Sequence, residues 1–186
     1  WGQPGSVVMG LFAAGVLNIL CREAGSMGIE QACFIMPVNE GAIKVTPQAA
    51  ALDTAGLVFA LYRAHHGNRL LKCADASPDG DIDACASLSP GGEQVFVTAV
   101  NRGITGPCTL DLVVKDFDGI AKASAKLLVP PRIDRSETAF NVVDTELTVI
   151  DGNRVSATLP PGSIARVTFG QAAAGPETVV RWTENI

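Results

Sequence analysis

The sequence predicts an α/β segment over residues 1–68 followed by an all-β sandwich over residues 69–186. Two observations carry this. The first part holds two long helical stretches around an apolar, partly β-branched one. After about Asn68 the hydrophobic period shortens to that of strands, with turn signals at regular intervals.

Val7 to Glu23 is helical by length and by its Leu, Ala and Met content. It is apolar nearly all round, so it needs cover on more than one side. Gly25-Ser26 ends it. The stretch GSMGIEQACFIMPVNEGAIKV lacks a helical period, and its residues alone place a strand at Ala32–Val38. A second helix is expected over Pro47–His66, with Thr46 as N-cap, Pro47 at the first helical position and Gly67 as the stop. The stretches EQVFVTAVN, TLDLVVKDF, AKASAKLLV, TELTVID, RVSATLP and SIARVTFG then read as strands. TVIDGNRVSATL reads as a hairpin with Asp-Gly at its tip, and PETVVRWTENI as a last strand after GQAAAG. Short strands at this spacing make a sandwich. One strand and two apolar helices cannot bury their own faces, so the first 68 residues require partners outside the sequence.

Composition excludes several classes. The chain has 186 residues, 47% of them apolar and 18% charged, with a net charge of −5. An acidic balance argues against a nucleic-acid surface. Ten aromatic residues (two Trp, one Tyr, seven Phe) do not favour a dedicated sugar-binding platform. Val7–Cys21 is about 15 residues long and interrupted by Asn18, whereas a membrane span needs roughly 20. No basic region precedes it, as a signal peptide would require. No membrane partner is expected. The motifs of phosphate-binding loops, dinucleotide sites and serine hydrolases are missing from the sequence.

The five cysteines contain no C-x-x-C pair, so neither a zinc site nor another metal or cofactor is expected. Two readings stay open. Cys73 and Cys85 close a short loop by a disulfide in an oxidising compartment, or all five are free thiols, three of them buried, in a reducing one. The second favours a cytoplasmic over a secreted location. His65-His66 at a helix end is expected to be exposed and stabilised by the helix dipole. The stretch DGDID at Asp79–Asp83 resembles the start of a calcium loop, but Ala84 and Pro90 stand where that loop needs Gly and Glu, so a turn of solvated acids is expected.

Other stretches carry a family resemblance. MGIEQ at Met27–Gln31, VTP at Val45–Pro47 and FALYRAHHG at Phe59–Gly67 resemble the end of the catalytic barrel of family-51 glycoside hydrolases, the α-L-arabinofuranosidases. VTAVNRG at Val97–Gly103, AFNVVD at Ala139–Asp144 and LPPGSIARVTF at Leu159–Phe169 resemble that family's C-terminal sandwich. The resemblance implies that residues 1–68 are the last helices and strand of a (β/α)₈ barrel, with its strand 8 at Ser26–Gln31. It also implies that the missing N-terminal part of the barrel is a partner.

Retaining glycosidases use two carboxylates about 5–5.5 Å apart at the C-terminal ends of barrel strands. The resemblance puts both on strands before residue 1, one of them a Glu directly preceding the Trp1-Gly2 that opens the chain. No catalytic residue is therefore expected within it. Glu30 and Glu40 would stand about 33 Å apart if extended and do not suggest a pair. Gln31 matches the Gln ending strand 8 and is the candidate substrate-binding residue, its amide bonding sugar hydroxyls. The family pattern A-N-I-A-Q has Asn where Gly28 stands, and its following V-N is replaced by Ala32-Cys33-Phe34, with Asn39 later. The implied partner is an arabinose-containing oligosaccharide, held by the complete barrel. The sandwich is expected to be structural and to offer a homo-oligomer contact. An endoglucanase-like relative, a non-catalytic sandwich module and a sandwich protein anchored to a membrane by Val7–Cys21 are the rivals.

Overall fold

The computed structural model describes residues 5–73, 80–117, 120–134, 137–150 and 152–170. Trp1, Asp79, the Asp151 hairpin tip and the expected last strand at Pro176–Ile186 lie outside the described residues.

Helix α1 spans Val7–Glu23, as the sequence predicts. Ser6 caps it, its Oγ accepting from Met9 N at 3.2 Å. The next element differs from both sequence readings. A turn follows α1, and neither Ser26–Gln31 nor Ala32–Val38 forms a strand. Met27 N and Ile29 N instead donate back to the Glu23 and Ala24 carbonyls. Met27 and Ile35 are 63% and 70% exposed, and the segment's only strand pairing among the described residues is a single parallel bridge from Val38 to Ile43.

A short hairpin follows, β1 Ile43–Val45 and β2 Ala50–Leu52. Thr46 caps its turn rather than a helix: its Oγ1 accepts from Ala49 N at 3.1 Å. Helix α2 therefore starts later than predicted and spans Thr54–Tyr62, with Asp53 as N-cap. A 3-10 turn at Arg63–His65 continues it. Gly67 supplies the left-handed stop, at φ 73°.

Eleven strands in all are described. After the hairpin come β3 Arg69–Leu71, β4 Ile82–Leu88, β5 Gln94–Asn101, β6 Cys108–Val113, β7 Lys122–Val129, β8 Asn141–Leu147, β9 Val149–Ile150, β10 Arg154–Leu159 and β11 Ile164–Gly170. Six form an antiparallel sheet in the order β3-β4-β5-β11-β7-β8, and three form a second in the order β6-β10-β9. Alternation sorts the side chains. Val95, Val97 and Ala99 of β5, Ala123, Ala125 and Leu127 of β7, and Ala165, Val167 and Phe169 of β11 meet Val155, Ala157 and Leu159 of β10 and Leu110 of β6. That is the sandwich core.

The opposite face of the large sheet carries a second core. Cys85, Val100, Leu128 and Ile164 pack with Phe140 against Val7, Ala13 and Ala14 of α1 and Ala55, Val58, Leu61 and Tyr62 of α2. The molecule is thus mostly β, a sandwich with two helices laid on one outer face. Close approach depends on two glycines. A Cβ on Gly10 would stand 2.6 Å from the Phe140 ring, and one on Gly56 only 2.0 Å from the Ala42 carbonyl oxygen.

Candidate functional site

Gln31 is exposed on the irregular segment after α1. Its Nε2 lies 3.1 Å from Cys33 Sγ. Glu30 on the same segment and Glu40 in the following turn are exposed too. Asn39 holds a left-handed turn (φ 57°), and its Oδ1 accepts from Val45 N at 2.7 Å. Phe34 anchors the segment by packing edge-on against Phe59, with ring centroids 5.4 Å apart.

The surface around this segment is apolar. Val8, Phe12, Val16 and Ile19 follow one another at helical spacing and form a stripe on α1 that points away from the sheet, Phe12 being 68% exposed. Met27, Ile35, Met36 and Val38 of the following segment are exposed as well. The sequence expects residues 1–68 to need cover from outside the chain, but the inner faces of both helices are covered by the chain's own large sheet; the stripe is what stays open.

The two histidines separate. His66 is exposed, but His65 is half-buried, which corrects the expectation of an exposed pair. Its Nδ1 lies 2.8 Å from Ser87 Oγ on β4, and its Nε2 lies 2.7 Å from Thr98 Oγ1 on β5. Both ring nitrogens are engaged, leaving none for a substrate. Burial, aided by the Arg166 charge, lowers its pKa from 6.5 to about 4. The unfolded chain therefore takes up this proton first as pH falls, and the neutral ring's contribution is complete above pH 6.5 and lost toward pH 4. Between pH 7.5 and 4.5, chemical denaturation should show the wild-type chain losing about 2 kcal/mol more than His65→Gln, after allowance for residual exposure.

A polar network joins the helices to β4. Asn18 is fully buried. Its Nδ2 donates to Asp83 O and Asp83 Oδ2, both at 3.0 Å. The Tyr62 hydroxyl lies 2.6 Å from Asn18 Oδ1 and 2.9 Å from Ala14 O, its one proton shared between them. Arg22 Nη1 reaches Asp83 Oδ1 and Ala84 O, each at 2.7 Å. Asp83, read from sequence as a solvated turn acid, is therefore a strand residue paired to helix α1. The five cysteines are free thiols, with only Cys85 fully buried, Cys33 exposed and the other three intermediate. Cys73 and Cys85 are not bridged.

Farther along the outer face, where the helices do not reach, Ser124, Lys126, Asp144, Glu146, Arg166 and Thr168 line a polar hollow of about 250 Å³. Among the described residues no group of three or more His, Cys, Asp or Glu has the arrangement to hold a metal ion. Nor is any described helix long and apolar enough to cross a membrane.

Compared with known proteins, the chain matches no family model and no curated protein. Solved structures do match. The family-51 arabinofuranosidase of Xanthomonas axonopodis pv. citri aligns over 90% of the chain with a TM-score of 0.71 at 19% identity. The α-L-arabinofuranosidase of Thermotoga maritima, solved with arabinose, aligns over 91% with a TM-score of 0.72 at 21% identity. The fold is that of a portion of a family-51 arabinofuranosidase. A family-30 endoxylanase from Clostridium papyrosolvens also shares it, with a TM-score of 0.65 at 13% identity over 92% of the chain. The chain spans only 36%, 39% and 40% of these three proteins. At such identities the likeness speaks for the fold alone.

Proposed function

We propose that this chain is the C-terminal part of a retaining glycoside hydrolase resembling α-L-arabinofuranosidase, acting on arabinose-containing plant polysaccharides when joined to the rest of a barrel. Residues 1–68 supply the barrel's last helices, and residues 69–186 are the sandwich that buttresses them. The catalytic carboxylates belong to the preceding polypeptide. Gln31 sits at the rim of the completed site and bonds sugar hydroxyls.

The observation that carries this reading is the apolar stripe of α1 and the exposed segment after it. Val8, Phe12, Val16 and Ile19 form the kind of face a barrel helix turns toward its strands. The partial overlap with arabinofuranosidases supports it. The overlap with an endoxylanase keeps a second reading, a relative with another sugar specificity.

The chain alone should not hydrolyse 4-nitrophenyl α-L-arabinofuranoside. Joined to the polypeptide encoded upstream of Trp1, it should release nitrophenol with retention of configuration. Turnover of a xyloside instead would favour the second reading. A full-length protein inert on both would favour a non-catalytic sandwich module. The stripe gives an independent readout. The isolated chain should bind an apolar-surface dye strongly, and Phe12→Lys should cut that fluorescence by about half or more without lowering Tm, since Phe12 is 68% exposed.

A further inference from the structure

Helix α1 and strand β4 meet through matched residues. On α1, Asn18, Cys21 and Arg22 share one face, being three and four residues apart. On β4, Asp83 and Cys85 point to the same side of the sheet. Asn18 and Arg22 both bind Asp83, and Arg22 also binds the Ala84 carbonyl. These clamps set the helix register and bring Cys21 toward Cys85, the two packing in the same helix-facing apolar cluster, while the Cys85 sulfur also lies 3.8 Å from His65 Nε2. Both sulfurs belong to the helix-facing core, Cys85 fully buried and Cys21 partly open.

From this juxtaposition we infer that Cys21 and Cys85 are a redox-controlled staple, forming a disulfide that ties helix α1 to the sheet when the chain meets a disulfide oxidant. The partly open Cys21 gives its proton to water and, as a thiolate, attacks the oxidant R–S–S–R, forming a mixed disulfide and releasing one thiolate. That thiolate takes the Cys85 proton. Cys85 sulfur then displaces the second R–S group from Cys21, and this group leaves as a thiol after taking a proton from water. Two protein thiols lose two electrons, and one oxidant disulfide becomes two thiols.

The roles suit the two sulfurs. The Cys21 thiol is held below its ordinary pKa, chiefly by the hydrogen bond from Cys85, against burial and with help from Arg22. Cys85 is pushed well above its usual range by the same bond and by burial. The attacking thiol is thus the open, more acidic one, and the buried one resolves. Cys73 is the competitor, since it is also half-buried and close enough for its charge to bear on Cys85. Burial raises its pKa, and the clamps do not hold it. The inference is independent of the glycosidase reading, since it needs no partner.

The test treats the full chain with excess oxidised glutathione, then counts thiols in denaturant and maps the cross-linked peptides. The expected map shows one peptide pair joined directly through Cys21 and Cys85, with at least two thiols lost and any glutathione adduct confined to the other cysteines, such as the exposed Cys33. Because the bridge closes a loop of about 65 residues, Tm should rise by roughly 5–15 °C and return with dithiothreitol. Cys21→Ser and Cys85→Ser should each abolish the rise, and Cys73→Ser should leave it. The map on the wild-type chain stands even where a variant does not fold. Five thiols remaining, a lasting glutathione adduct on Cys21, or a bridge from Cys73 to Cys85 would each overturn the staple.

Discussion

Deleting residues 1–68 is expected to leave residues 69–186 unable to persist as a stable monomer. The large sheet has two buried faces, and only one is covered by the smaller sheet. The other carries Val100, Leu128, Ile164 and Phe140, each less than a tenth exposed because α1 and α2 lie on them. Baring four such side chains costs roughly 1.5–3 kcal/mol each, and the sum rivals the 5–15 kcal/mol by which a domain is stable. Ser87 and Thr98 would also lose the His65 ring between them. Sedimentation and a thermal melt of residues 69–186 are the measurement. Self-association, or a Tm lowered by more than about 10 °C, is the expected result. A monomer melting cooperatively near the full chain's Tm would make the sandwich autonomous and turn the helices into an appendage. That outcome would favour the interaction-module reading.

The sandwich was largely legible because its strands alternate. Five of the six expected stretches correspond to β5, β6, β7, β10 and β11, and TELTVID straddles the end of β8 and all of β9. Strand β4 was hidden because its sequence, IDACASL, is made mostly of small or polar residues with little strand preference. Its first two residues, Ile82 and Asp83, belong to the stretch that the sequence reads as an acidic turn. Helix α1 was legible to the residue, since its apolar run and its Ser6 cap agree. The start of α2 was misjudged because Thr46-Pro47 is as good a hairpin-turn signal as a helix start, and Asp53 offers a second cap that a helix on the β2 side can use.

The site region was legible only as a need. The sequence shows two apolar helices but not that the chain's own sheet covers their inner faces; only the stripe on α1 stays exposed. Gln31 rested on a motif match rather than on geometry, and it sits exposed on an irregular segment. What local pattern could not supply were partners distant in sequence. The His65 cradle spans 22 and 33 residues, and the Asn18–Asp83 contact spans 65. Neither leaves a periodic trace.

Replacing Asn18 should have the largest effect of any single substitution on α1. Asn18 interrupts the apolar run, which in the sequence argued against a membrane span. In the fold it is the fully buried hub of three elements, with its amide nitrogen on Asp83 and its oxygen facing the Tyr62 hydroxyl. Asn18→Leu keeps the approximate volume and removes these bonds. Tyr62 retains the Ala14 carbonyl, and the Asp83 carboxylate retains Arg22 at 2.7 Å, but the Asp83 backbone carbonyl loses its side-chain donor. The expected loss is about 2–4 kcal/mol. Asn18→Asp should cost more still, because it sets a second carboxylate against Asp83 at a site with no exposure to water. The order wild type, Leu, Asp in urea midpoints at neutral pH is the expected result, with the Asp variant regaining part of its deficit as the medium is made acidic enough to protonate it. An Asn18→Leu chain as stable as the wild type would mean that packing alone docks α1 on the sheet. The clamps that align Cys21 with Cys85 would then be incidental to the register of the helix.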